Sequence, residues 1–225
     1  MRTQAVLFDL YETLITELNA PVRRASSLAA KLAVDESAYK REWKSRRPDI
    51  VQGRCTFRDA LAQIASRLGR AVDEVILEEL RSERVAQKTA VLQAVDPDVL
   101  AAVGELRRRG LKLAVLSNAF EEDVAGWSGS PLRPFFDVTL FSCSSGLVKP
   151  DPEVYLAACR ALGAIPQRAL FVGDGADEEL EGARAAGLAA FRALWFTSRW
   201  PQTTIRRDDP GLWRVSQVVD EAMAA

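Results

Sequence analysis

The chain of 225 residues contains no histidine. That absence excludes Ser-His-Asp and Cys-His catalysis, imidazole proton shuttles and histidine-ligated zinc. Acid–base work must fall to Asp, Glu, Lys or Tyr, and any metal must be held by oxygen ligands, which favours magnesium. Cysteine is scarce. Cys55, Cys143 and Cys159 are widely spaced, which argues against a disulfide framework and against structural zinc; Cys159 sits in an apolar helical pattern and is expected in the core. A surplus of positive charge is also missing. The formal net charge of -1 offers no basic field for nucleic acid. No apolar run approaches the roughly 20 residues of a membrane helix. Met1-Arg2-Thr3-Gln4 leads straight into a strand pattern without a secretory apolar region, so a cytoplasmic location is expected. No internal repeat or low-complexity segment stands out. What is present, 48% apolar and 27% charged residues, suits one sizeable core, or a core with a smaller insert.

From Asp96 onward, strand and helix patterns alternate. Asp96-Pro97-Asp98 caps a helix whose stripe is Val99, Val103 and Leu106, stopped at Gly110. Apolar runs at 111–116, 137–142, 169–172 and 189–196 read as strands. Helices are expected from Pro152 to about Gly163, over 178–186 and over 216–222. Continuous apolar strands joined by helices imply a parallel sheet covered on both faces. Right-handed crossovers then collect the loops after each strand on one edge. Residues 17–92 contain no strand pattern. Helices are expected over 21–32, 35–46, 56–68 and 73–90, with Thr56 as a cap. The expected fold class is α/β: a Rossmann-like three-layer core of residues 1–16 and 93–225, plus a small all-helical cap domain of residues 17–92.

Polar groups follow the strands at four places. Asp9 ends the run Ala5-Val6-Leu7-Phe8, and Ser117-Asn118, Lys149-Pro150 and Gly173-Asp174-Gly175 come after later apolar runs. A carboxylate nucleophile, a hydroxyl, a cation and a second carboxylate at one sheet edge suit phosphoryl transfer through an aspartyl intermediate. Taken singly, Asp9 is a turn or cap residue, Ser117-Asn118 a helix cap and Lys149 a surface cation. Gly173-Asp174-Gly175 is not a dinucleotide turn, because its third glycine is missing and an acid beside a pyrophosphate repels it.

The order of Asp9-Leu10-Tyr11-Glu12-Thr13, Leu116-Ser117-Asn118, Val148-Lys149-Pro150-Asp151-Pro152 and Phe171-Val172-Gly173-Asp174-Gly175, with Glu179-Leu180-Glu181-Gly182-Ala183 behind, resembles the haloacid dehalogenase-like hydrolase superfamily. The likeness is to its subgroup with a helical cap after the first motif. It implies a magnesium-dependent phosphatase acting on a small phosphorylated substrate. Asp9 is then the nucleophile, Ser117 and Asn118 meet the phosphoryl group, and Lys149 balances charge. Asp9, Asp174, the Tyr11 carbonyl and Glu179 hold the metal, with Asp177 and Glu178 as nearby alternatives to Glu179.

Tyr11 departs from the phosphatase pattern, which has a second Asp there as general acid and base. The resemblance thus extends to L-2-haloacid dehalogenases, which carry a tyrosine at that place but no acid matching Asp174. It also extends to weak or non-catalytic phosphate-binding relatives. Glu12, on an extended segment, is expected to point away. The stretch Trp43-Lys44-Ser45-Arg46-Arg47-Pro48 with Arg54 is either a grip for an anionic leaving group or a solvated helix end. Trp195, Trp200 and Trp213 are either core or an association surface, and the state is monomer or homodimer.

Overall fold

The structure is a computed structural model describing residues 2–18, 20, 25–202 and 211–224. Five parallel strands, β1 (Ala5–Asp9), β2 (Lys112–Ser117), β3 (Val138–Phe141), β4 (Ala169–Gly173) and β5 (Ala189–Arg192), form one sheet in the order β3-β2-β1-β4-β5. The helices are α1 (Ala25–Lys31), α2 (Glu36–Val51), α3 (Phe57–Arg67), α4 (Glu74–Gln93), α5 (Pro97–Arg108), α6 (Glu121–Val124), α7 (Ser142–Ser145), α8 (Pro152–Leu162), α9 (Glu179–Ala185) and α10 (Gln217–Ala224).

The sheet is buried on both sides because its central strands are apolar along most of their length: β1 and β4 are buried throughout and β2 from Leu113 onward. Val6 and Phe8 share one face with Leu113, Val115, Leu170 and Val172, under Val99 and Val103 of α5 and Val218 of α10. Ala5 and Leu7 share the other with Ala114, Leu116 and Phe171, under Tyr155 and Ala158 of α8 and Leu180 of α9. This is the period-2 alternation of a strand with helices on each face. Each large side chain removed from water contributes about 1.5–3 kcal/mol. This is the expected α/β, Rossmann-like three-layer core. Cys159 lies within it, and burial pushes its thiol up to about 11, so it is an inert packing group.

Register fixes the functional edge. Asp9 pairs with Leu116, and Phe8 pairs with Val172. Asp9, Ser117 and the residue after Gly173 therefore emerge side by side where the strands end.

Helices α1 to α4 form a separate apolar cluster around Leu32, Tyr39, Ile50, Phe57, Leu61, Ile64 and Leu80. Phe120, from the loop after β2, plugs into it and meets Trp43 at 5.8 Å between ring centroids. Asp35, Thr56 and Asp73 cap α2, α3 and α4 through their side-chain oxygens, each worth about 1 kcal/mol.

Several boundaries differ from expectation. Helix α2 runs past residue 46 to Val51 with Pro48 inside it. Burial of Ile50 and Val51 in the insert cluster outweighs the hydrogen bond that proline forgoes. Strand β5 stops at Arg192 rather than 196. Ala193 bridges to Leu212 and the chain then turns, burying Leu194, Trp195 and Phe196 in the core without a ladder. The first four residues of the helix expected over 21–32 lie outside the described residues. Trp195 is a core residue, donating its indole N–H to the Thr13 carbonyl at 2.9 Å. No helix among the described residues is long and apolar enough to cross a membrane.

Candidate active site

A cavity of about 390 Å³ opens between the strand-end loops and the helical insert. Asp9, Tyr11, Ser117, Asn118, Lys149, Asp174 and Glu179, all singled out in the sequence, line it. A larger cavity, about 460 Å³, lies beside α5 and α10 among Trp195, Trp213 and Arg199. It shares no lining residue with the first cavity and does not include Asp9, Ser117, Lys149 or Asp174.

Lys149 is the hub. Its ammonium donates to Asp9 Oδ1 and to Glu179 Oε2, the latter at 2.5 Å, and all three residues are buried. Asn118 sets it in place. The amide nitrogen donates to the Lys149 carbonyl, and the amide oxygen accepts from the Lys149 N–H, both at 2.9 Å. The side chain of Asn118, expected to meet substrate, is thus engaged in orienting the cation. Lys149 begins a cis peptide bond to Pro150, and Gly182 of α9 lets that loop come close. A Cβ there would lie 2.2 Å from the Pro150 carbonyl oxygen.

Asp9, Asp174 and Glu179 bring carboxylate oxygens within 4.8 Å of one another. Burial pushes Asp9 up to about 8, with Glu179 and Asp174 adding to the rise against the pull of Lys149. Burial likewise pushes Asp174 up to about 6, opposed by the Ala176 N–H that donates to its Oδ1. Burial disfavours the Lys149 charge, but Asp9 and Glu179 outweigh it and hold the ammonium above its usual value. Three acids around one ammonium leave surplus negative charge. Added positive charge at the cluster would return Asp9 to the anion that a nucleophile requires.

Among the alternatives for the second acid, Glu179 is the one at the cluster. Its Oε1 accepts from Gly175 N–H, and Tyr155 donates to its carbonyl. Gly173 makes room for it, since a Cβ there would stand 2.1 Å from Glu179 Oε1. Asp177 lies at the cavity wall near Asn118 and Arg47. Glu178 does not line this cavity. Both adopt left-handed backbone, φ 51° and 55°, which turns the chain between β4 and α9.

Tyr11 donates its hydroxyl to the Asp123 carbonyl at 2.8 Å. Burial, with Asp123 and Glu17 nearby, pushes the phenol well above its usual value. Glu12, expected to point away, stands at the edge of the cavity, but its carboxylate is engaged elsewhere. Its backbone is left-handed, φ 55°, and its carboxylate receives Thr16, the Glu17 N–H and the Trp200 indole. The helix after Ser117 is a single turn, Glu121–Val124, so its dipole adds little.

The basic stretch in α2 divides. Trp43 and Arg47, four apart, line the cavity. Lys44 is exposed, Arg46 pairs with Glu42, and Arg54 pairs with Asp49. Arg84, Lys88, Phe120 and Asp123 also line the cavity and escaped the sequence reading. The spacing of Arg84 and Lys88 on one face of α4 was the available sign.

A family model described as haloacid dehalogenase-like hydrolase matches residues 3–187. The chain is 30% identical to N-acetylmuramic acid 6-phosphate phosphatase of Pseudomonas aeruginosa, over 98% of this chain and 92% of that protein. It is 35% identical to phosphoserine phosphatase of Thermus thermophilus, over 51% of this chain and 43% of that protein, so it spans less than half of that relative. A solved 2-haloacid dehalogenase from Pseudomonas syringae pv. Tomato DC3000 has the same fold, with a TM-score of 0.67, 22% identity, and coverage of 99% of this chain and 98% of that one. The chain belongs to the haloacid dehalogenase-like hydrolase family.

Proposed function

We propose that the protein is a magnesium-dependent phosphatase that acts on a small phosphorylated metabolite through an aspartyl-phosphate intermediate. The helical insert, residues 17–92, serves as a cap domain on a core of residues 1–16 and 93–225. The observation that carries this reading is the cluster at the ends of the central strands: buried Asp9 and Glu179 paired with Lys149, and half-buried Asp174 beside them. Two relatives named as phosphatases support it.

In this reading an Asp9 oxygen attacks phosphorus, the bond to the leaving alcohol breaks, and water later opens the acyl phosphate. Lys149 holds Asp9 in position and offsets charge as the phosphoryl group arrives. Ser117, buried on the cavity wall, donates its hydroxyl to a phosphoryl oxygen. The all-oxygen acid set and its surplus of negative charge fit a hard divalent cation held by Asp9, Asp174 and the Tyr11 carbonyl, with Glu179 in support. When bound, magnesium supplies charge neutralisation at the phosphoryl oxygens. Tyr11 gives its one hydroxyl hydrogen to Asp123, so it accepts hydrogen bonds from the cavity and does not protonate the leaving oxygen. Turnover of alkyl esters should therefore be slow, and esters with good leaving groups should react faster.

Tyr11 is also the residue that favours a dehalogenase. Against that reading, displacement at carbon has no use for Asp174 and Glu179 beside the nucleophile. Hydrolysis of p-nitrophenyl phosphate with magnesium, its arrest by a chelator and its loss in an Asp9→Asn variant that still folds are the expected results. Consumption of 2-chloropropionate in chelator, with the phosphate ester untouched, would make it a dehalogenase. Inertness toward both, with phosphate analogues raising Tm, would make it a binding protein.

A further inference from the structure

The far wall of the cavity carries three cations from the insert, Arg47, Arg84 and Lys88. At first sight they invite an anionic leaving group. Their partners argue the opposite. Arg84 meets Asp123 Oδ1 through Nε at 2.7 Å and through NH2 at 2.6 Å, and its guanidinium lies over the Phe57 and Phe120 rings at 4.9 and 4.7 Å. Lys88 Nζ reaches Glu17 at 2.8 Å and stands over the Tyr11 ring at 4.4 Å. Arg47, more exposed, faces Asp177 at 4.0 Å. Among the described residues, every insert cation lining the cavity already faces a carboxylate.

The cavity lining holds five carboxylates that face its interior groups, Asp9, Asp123, Asp174, Asp177 and Glu179, against four cations, while the carboxylate of Glu12 is engaged by Thr16, the Glu17 N–H and Trp200. A divalent ion and a phosphoryl dianion cancel each other and leave that imbalance in place. A carboxylate on the leaving group would enter an already negative site. To be gripped by Arg84 it would have to detach Asp123 and leave that acid buried without its charge partner, and the exposed, solvent-screened Arg47 gives only a weak alternative grip. What the wall does offer is neutral. Trp43 and Phe120 present ring surface, and the Tyr11 oxygen, its hydrogen given to Asp123, accepts from a hydroxyl.

Resting on the phosphatase reading, we propose that the leaving group is an uncharged, hydroxyl-bearing alcohol, a sugar or polyol, and that the Arg84–Asp123 pair screens out phosphorylated carboxylic acids. The discrimination is by a pre-neutralised cation and like charge, a repulsive device more than an attractive one.

The test compares glycerol 3-phosphate with 3-phosphoglycerate, with p-nitrophenyl phosphate as control. The expected kcat/KM favours the polyol ester by about tenfold or more, as like-charge juxtaposition requires. Asp123→Asn, which releases Arg84, is expected to narrow that ratio through a lower KM for 3-phosphoglycerate. A wild-type preference for the acid, or no preference, overturns the inference whatever the variant does. An unchanged ratio in a folded Asp123→Asn overturns the role given to the pair. Turnover of the control alone rejects the polyol class and keeps the phosphatase reading, whereas an inert control rejects both.

Discussion

The sheet edge and the inner face of the helical insert meet across one cavity, yet they are built differently. At the edge, Asp9, Ser117 and Asp174 end or follow strands that are apolar at almost every position and are fixed by ladder register, Asp9 beside Leu116 and Phe8 beside Val172. Movement there would break hydrogen bonds and a core at once. On the insert side, Trp43, Arg47, Arg84 and Lys88 project from two helices and are held by ion pairs and rings. Such pairs can be exchanged one at a time. The comparison teaches that the chemistry resides where the backbone is over-determined, and selectivity where side chains can be re-partnered without unfolding the molecule.

Three substitutions sharpen that contrast, the largest effect first. Lys149→Ala leaves Asp9 and Glu179 buried around a lost ammonium. It should cost about 3–5 kcal/mol of stability, as breaking a buried pair from one side does, and remove phosphatase turnover. Urea denaturation reads the first effect and the p-nitrophenyl phosphate assay the second; a variant as stable as the parent would show that the hub is not structural. Tyr11→Asp restores an acid where the phenol's hydrogen is now committed to Asp123. Turnover of an alkyl phosphate should rise by about 10²-fold, within the range of a general acid–base group. An unchanged or lower rate in steady-state kinetics would remove Tyr11 from that place. Arg54→Ala deletes an exposed pair with Asp49 outside the cavity. Its stability should move by no more than about 0.5 kcal/mol, with kcat/KM unchanged, because exposed pairs contribute little. A loss of activity would return Arg54 to the substrate site.

Much of the sheet edge was readable in advance because its rules are local. Apolar runs of four to six residues mark strands, and Asp9, Ser117 and Asp174 stand where those runs end. Motif order then resembled a family closely enough to assign roles. The insert was readable as helices, through Thr56 and the apolar spacing of α3, but its functional face was not. Arg84 and Lys88 lie more than 70 positions from Asp9, and nothing local says which acids they meet.

The sequence by itself determined the parallel sheet, the helical insert and the group of acids, hydroxyl and lysine, because strand period, strand ends and residue chemistry act over a few neighbours. Only the tertiary structure decided that Glu179 rather than Asp177 or Glu178 joins Lys149, that Asn118 holds the lysine main chain, and that Tyr11 has given its hydrogen to Asp123. The physical reason is range. A hydrogen bond or ion pair is chosen by distances of about 3 Å between groups that the fold brings together, and the chain order of those groups carries no record of that choice.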